Sequence, residues 1–170
     1  MYCQHPFEPV ADPQARILIL GSFPSVRSRQ EGFYYGHARN RFWQVLAQVY
    51  GRPVPGTIPE KKALLAGCRI ALWDVAAGCE IEGSADAAIR CVQVNDVPAL
   101  TVRCPVRAVY CNGATAGRLY RQYLAQAVGL PYTVLPSTSP ANAAWSLPRL
   151  VQAWQCIRWE GQEKNDETEK

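Results

Sequence analysis

A chain of 170 residues, 48% of them hydrophobic and 19% charged, has the makeup of one globular domain, long enough to bury most of the surface its unfolded form exposes. Its longest apolar runs fall far short of a bilayer-spanning helix, and a soluble protein is expected. The net charge of +4 permits a polyanion partner without requiring one.

The charge is uneven. Arg16, Arg27, Arg29, Arg39, Arg41 and Arg52 crowd the first third, while EGQEKNDETEK closes the chain. We therefore expect a single domain over residues 1–160 and a disordered acidic tail over 161–170. From charge alone, a solvated arginine face is the simpler reading of the basic body.

In chain order, MYCQHPFEPVADPQ comes first and lacks the basic, apolar and small-residue order of a secretory signal, so a soluble, cytoplasmic protein is expected. His5 falls in this stretch and is read as mobile and incidental. Four short apolar runs rich in β-branched residues follow, each closing on a small or polar cluster: RILILGSFPS, RIALWDVAAG, RAVYCNGAT and YTVLPSTSPAN. Buried parallel strands have this appearance. Between the first two, Phe42, Val45, Leu46, Val49 and Tyr50 form a helical stripe, and the Pro and Gly cluster over 51–60 is a surface connection. Leu119, Tyr123 and Leu124 suggest another helix after the third run. Leu150, Val151, Trp154 and Ile157 suggest a last one.

Strand and helix in alternation predict an open α/β sheet with helices on both faces and right-handed crossovers. Ligands collect at the carboxyl ends of such strands. Here those ends carry Gly21 to Ser25, Trp73 and Asp74, Asn112 and Gly113, and Ser137 to Asn142.

GSFPS lets the backbone turn tightly and expose amides to an anion or a base edge, although an ordinary strand-to-loop turn has the same composition. It lacks the lysine of a nucleotide-hydrolase phosphate loop. GFYYGHARNRFW is more specific: flat aromatic surfaces, then the donors His37, Arg39, Asn40 and Arg41, then the start of a helix. An aromatic shelf beside polar groups suits a nucleobase, and arginines can hold the flanking phosphates. Phe42 and Trp43 are assigned to packing, Tyr35 and Asn40 to the site. STSPAN offers hydroxyls and an amide to phosphate oxygens, or else turns and caps a helix near Trp145 through Asn142. The seven cysteines, Cys3, Cys68, Cys79, Cys91, Cys104, Cys111 and Cys156, are scattered with no C-x-x-C pair. They read as small buried hydrophobes in a reducing compartment, and no metal or cofactor is expected.

Taken together, GSFPS, YYGHARNRFW, a strand ending in LWD and a fourth ending in STSPAN resemble the uracil-DNA glycosylase superfamily over about Ala15 to Trp159. The similarity is nearest to its hypoxanthine-DNA (deoxyinosine) glycosylase branch, and next to the mismatch-specific uracil and thymine glycosylases. The resemblance implies a three-layer αβα fold with a central four-stranded parallel sheet and a flipped base at the strand ends. Tyr35 sits where the family places its base-stacking aromatic, and Ser22, Phe23, Pro24 and Ser25 form the first catalytic loop. Asp74 falls near the base-recognition position, and Asn112 joins the base-binding group at the rim. Ser137, Thr138, Ser139, Pro140 and Asn142 match the segment that grips the DNA backbone, with Ser25, His37 and Arg39 as further DNA contacts. Most branches place Asp or Asn where this chain has Phe23, and Asn40 is what the hypoxanthine branch uses instead. A histidine of the last motif is replaced by Ser137.

The implied activity is monofunctional excision of a deaminated base from DNA by a monomer, since the motifs contain no lysine for a Schiff base. When the base departs first, an oxocarbenium-like sugar captures even a weakly activated water, so a strong base is unnecessary. Asn40 is expected to orient that water through its side-chain carbonyl, while a backbone N–H meets the hypoxanthine carbonyl that replaces the adenine amino group. Asp74 could activate water instead if it faced the sugar, and His37 could protonate the leaving purine. The rival readings are uracil or mismatch excision and a nucleic-acid-binding module without catalysis. A general α/β hydrolase fails because no G-x-S-x-G elbow is present.

Overall fold

The computed structural model of the chain describes residues 2–5, 7–81 and 89–158, and the expected acidic tail lies outside the described residues. Strand β1 spans Tyr2–Gln4 and β2 spans Ile17–Gly21. Helices α1 (Val26–Glu31), α2 (Phe42–Tyr50) and α3 (Ile58–Gly67) lead to β3 (Ile70–Asp74), β4 (Ala76–Ile81) and β5 (Ile89–Val94). Then come α4 (Val97–Arg103), β6 (Ala108–Asn112), α5 (Ala114–Tyr123), α6 (Ala125–Val128), β7 (Tyr132–Leu135) and α7 (Leu147–Trp154), the last running into a 3-10 turn over Gln155–Ile157.

The four strands expected from the apolar runs form one parallel sheet in the order β3-β2-β6-β7. Alternation along β2 divides the core. Leu18 and Leu20 pack with Val97, Leu100, Leu119 and Tyr120 from α4 and α5. Ile17 and Ile19 face the other way, onto Phe42, Leu46, Leu65 and Trp154 from α2, α3 and α7. Each such side chain, fully buried, contributes about 1.5–3 kcal/mol of transfer free energy. The helices therefore cover both faces, as the α/β pattern predicts. No helix among the described residues is long and apolar enough to cross a membrane.

Local chemistry sets the ends of the elements that carry the site. Helix α2 stops where Gly51 turns left-handed (φ 63°) and donates its N–H to the carbonyls of Ala47 and Gln48. Helix α7 begins at Ser146, whose hydroxyl accepts from Arg149 N, so Ser146 and not Asn142 is its cap.

A second sheet, β1-β4-β5, is antiparallel and was not legible in the sequence. It grows out of the first, because Val75 N and Ala76 N bond the carbonyls of Gly21 and Ser22 before β4 departs. Its edge strand is the amino-terminal segment, with Gln4 opposite Gly78. The stretch read as mobile is thus paired backbone, and it delivers His5 to the end of β3.

Candidate active site

Gly21 and Asp74 are the last residues of β2 and β3 and stand in register. A Cβ on Gly21 would overlap Asp74 Oδ1 and lie 2.9 Å from the Tyr35 hydroxyl, so glycine is what allows carboxylate and phenol to meet over this strand end. Tyr35 has a left-handed backbone (φ 53°), uncommon for a residue with a bulky side chain. Its ring is stacked on Phe42 with centroids 4.0 Å apart and planes 22° apart, and that contact holds the unusual turn in place.

His5 is the partner of Asp74. Its Nε2 lies 2.8 Å from Asp74 Oδ2, and the two side chains are only 2% and 5% exposed, so water does not screen the pair. Phe7 N–H donates to His5 Nδ1 at 3.1 Å. An Nδ1 that accepts carries no proton, so the hydrogen is on Nε2 and points at the carboxylate. The rings of Phe7, Phe23 and Tyr34 surround the imidazole at 5.5, 5.8 and 6.0 Å. Burial and the nearby Asp74 charge push the Tyr34 phenol far above its ordinary range, and its hydroxyl donates to Glu8 O at 2.9 Å. Asn95 Nδ2 donates to the Asp74 carbonyl at 2.8 Å and fixes the backbone beneath the carboxylate. The incidental role assigned to His5 is therefore corrected. The sequence signal was slight: one of two histidines in the chain, beside Phe7.

A second group forms where α2 meets the last loop. Asn40 Oδ1 accepts from Phe42 N–H at 3.0 Å and from the Thr138 hydroxyl at 2.8 Å. Thr138 Oγ1 in turn accepts from Asn112 Nδ2 at 3.0 Å, while Asn112 Oδ1 accepts from Thr138 N–H at 3.1 Å. The direction of every bond follows from the two backbone N–H groups, which can only donate. They face the carbonyl end of each amide, and the threonine proton is left to point at Asn40. Both lone pairs of Asn40 Oδ1 are thereby engaged. Water orientation through that carbonyl, as the sequence led us to expect, does not fit, and the polar group the network leaves over is Nδ2–H2.

Arg41 braces the same loop. Its backbone N–H donates to Thr138 O at 3.1 Å, and its guanidinium bonds the carbonyls of Ser139, Asn142 and Trp145. It ties loop to helix and does not offer its fork to phosphate. Within the loop, Ser137 Oγ accepts from Ser139 N, Ser139 Oγ accepts from Ala141 N, and Asn142 Nδ2 donates to Ser137 O. Pro140 is half-buried between them. Gly113, left-handed at φ 98°, lets the end of β6 approach Ser137, where a Cβ would stand 3.0 Å from the serine Cβ.

The structure brings Tyr35, Asp74 and Gly21 together, and brings Asn40, Thr138 and Asn112 together. Phe42 joins the groups, since its ring meets Tyr35 and its N–H meets Asn40. Ser22 and Phe23 are buried, and Phe23 lies edge-on to His5 with the Arg29 guanidinium over its ring, 5.5 Å from the centroid. Ser25 is exposed and caps α1, its Oγ accepting from Ser28 N at 3.1 Å. His37 Nδ1 accepts from Arg39 N at 3.0 Å in the turn before Asn40, with Arg39 exposed. Phe42 and Trp43 are 0% and 5% exposed and pack as expected.

Comparison with known proteins bears on this arrangement. The family model described as the uracil DNA glycosylase superfamily matches residues 8–158. A hypoxanthine DNA glycosylase of Methanosarcina acetivorans is 36% identical over 153 residues, covering 89% of this chain and 95% of the relative. One of Methanosarcina barkeri is 34% identical over 138 residues, covering 80% and 86%. The solution NMR structure of a uracil DNA glycosylase candidate from M. acetivorans superposes with a TM-score of 0.79 at 34% identity, covering 92% of this chain and 96% of that one. A parallel sheet whose strand ends gather these motifs, matched by model, sequence and structure over nearly its whole described length, makes the chain a member of the uracil DNA glycosylase superfamily.

Proposed function

We propose that the chain is a monofunctional DNA glycosylase that excises deaminated bases, hypoxanthine foremost, acting as a cytoplasmic monomer. The observation that carries the reading is the Asp74 carboxylate, held at Oδ2 by His5 with Oδ1 over Gly21 beside Tyr35. Deamination converts a ring nitrogen that accepts into an N–H that donates: N1 of adenine becomes N1–H of hypoxanthine. A carboxylate, which only accepts, binds the lesion and repels the lone pair of the parent base. The names of the Methanosarcina relatives favour hypoxanthine over the other bases with this signature.

In this reading the flipped nucleotide brings its base to the Gly21–Asp74 rim, against Tyr35, with a first-loop amide donating to its carbonyl. The N9–C1′ bond breaks and its electron pair leaves with the base. Asn40 Nδ2–H donates to one lone pair of a water molecule and leaves the other free to bond C1′, and the proton that water then loses ends on the departed base. Arg39 and His37 before Asn40, Ser25 in the first loop, and the loop over 137–142 hold the flanking backbone. Because every group named belongs to one chain, one copy suffices.

The test is single-turnover cleavage of duplex oligonucleotides carrying one hypoxanthine, uracil, xanthine or mismatched thymine, followed by alkali to reveal abasic sites. Hypoxanthine should react fastest and unmodified adenine not at all. Asn40→Ala should slow the chemical step by about 100-fold or more with little change in DNA binding. Binding without cleavage of any substrate would refute the enzymatic reading, and faster turnover of uracil would refute the choice of base.

A further inference from the structure

The His5 side chain is buried and meets the Asp74 carboxylate at Oδ2, leaving Oδ1 over Gly21. Resting on the function just proposed, we propose that His5 is a positioning residue for base recognition: by donating from Nε2 to Oδ2 it holds the Asp74 carboxylate in one orientation, with Oδ1 turned to the rim.

Three observations support this. The proton is committed to Nε2 by the Phe7 N–H on Nδ1, so the imidazole acts as a neutral donor locked in one tautomer. The ring is enclosed by Phe7, Phe23 and Tyr34, which prevent it from turning. Finally, Oδ1 and the Tyr35 hydroxyl both stand in the space that a Cβ on Gly21 would fill, so a swing about the Asp74 side-chain torsion changes what the carboxylate presents at that strand end.

The consequence is specific. Without a donor at Oδ2, the buried carboxylate is free to rotate about its side-chain torsion, and the oxygen it presents to a base N–H moves out of place. Loss of His5 should therefore weaken binding of the lesion and lower discrimination against adenine, while the bond-breaking step, which belongs to Asn40 and water, changes less. Glutamine carries a side-chain N–H2 at about the reach of Nε2 and can replace the donor.

The experiment measures single-turnover excision of hypoxanthine, over a range of enzyme concentration, by wild type, His5→Ala, His5→Gln, Asp74→Asn and the double variant His5→Ala/Asp74→Asn. Thermal melting is recorded for each. His5→Ala should raise the half-saturating enzyme concentration by about 10- to 100-fold, the range set by a hydrogen bond to a charged group, with a smaller fall in the maximal rate. His5→Gln should recover most of that loss. In the Asp74→Asn background, His5→Ala should add less than threefold, because its effect passes through the carboxylate. In wild type, the imidazole 15N shifts of His5 should show hydrogen on Nε2 alone. Equal half-saturation for His5→Ala and wild type would overturn the proposal, as would an undiminished cost of His5→Ala beside Asp74→Asn or loss in both His5 variants that only follows their melting temperatures. Should wild type fail to excise hypoxanthine, the function proposed above falls instead, and the nitrogen shifts still report whether His5 holds its proton as described.

Discussion

Thr138 is 0% exposed and joins the two amides of the site, which makes Thr138→Val the sharpest test of the network. Valine fills the same volume but supplies neither the proton for Asn40 Oδ1 nor the acceptor for Asn112 Nδ2. Asn40 Oδ1 keeps its bond from Phe42 N–H, so the loss there is one ordinary hydrogen bond, about 1 kcal/mol. Asn112 Nδ2 is left facing a methyl group, which costs about 1–3 kcal/mol for a donor without a partner. The backbone bond from Thr138 N–H to Asn112 Oδ1 survives and keeps the amide from turning over to repair the fault. The sum, about 2–4 kcal/mol, corresponds to a fall in melting temperature of roughly 4–16 °C at the 2–4 °C per kcal/mol usual for a domain of this size. Excision should fall further, by about 10- to 100-fold in maximal single-turnover rate, because Asn40 loses the contact that fixes its free amide. Differential scanning calorimetry and excision of hypoxanthine check the two halves. A variant that melts within 1–2 °C of wild type and excises at the same rate would show that the hydroxyl chain neither stabilises the loop nor positions Asn40.

Five other outcomes follow. Gly21→Ala places a methyl group on Asp74 Oδ1 and should cost about 1–3 kcal/mol as overpacking, with excision falling at least tenfold as the carboxylate is displaced; melting and excision assays measure both. Arg41→Lys keeps the charge but cannot reach carbonyls of Ser139, Asn142 and Trp145 together, so stability should fall by about 1–3 kcal/mol while the salt dependence of DNA binding is unchanged. Arg39→Ala should do the reverse, lowering the slope of log K against log salt by about 1 with little effect on melting. Burial pushes the Cys111 thiol up to about 12 from 9.0, so between those values the unfolded chain sheds a proton the folded chain keeps. Stability from this group is complete below the lower value and is lost as pH rises through the higher, as denaturant titrations from pH 8 to 12 should show. At neutral pH, alkylation should reach exposed Cys156 well before buried Cys68, Cys79, Cys104 and Cys111.

What the sequence disclosed of this molecule was local. Strands β2 and β3 are buried on both faces, so Ile17–Leu20 and its partner read as unbroken apolar runs, and each run ends where the chemistry begins. Helix α2 was equally plain, because Phe42, Val45, Leu46 and Val49 repeat at its period and all are buried. The second sheet gave no such sign. Strand β4 starts two residues after Asp74 without a turn residue between, and its partner β1 is three residues long and more than seventy residues away in sequence. A pairing that distant leaves no trace in periodicity.

The site divides along the same line. That Asn40, Tyr35, Asp74 and the loop over 137–142 belong to one rim could be inferred from where the strands end. How each side chain is used could not, since the use is decided by partners remote in the chain: Thr138 for Asn40, Asn112 for Thr138, His5 for Asp74. The carbonyl of Asn40 was an attractive water acceptor only while its neighbours were unknown. With both of its lone pairs engaged, the amide has Nδ2–H2 left to offer, and in the function proposed above the acceptor of the site is the Asp74 carboxylate. Donor and acceptor thus come from different elements, the loop before α2 and the end of β3, and are aligned by different braces, one threonine and one histidine. A glycosylase that must bind an N–H on a base and steer a water to a sugar needs both polarities, and keeping their supports separate allows base recognition to be altered without moving the group that guides water.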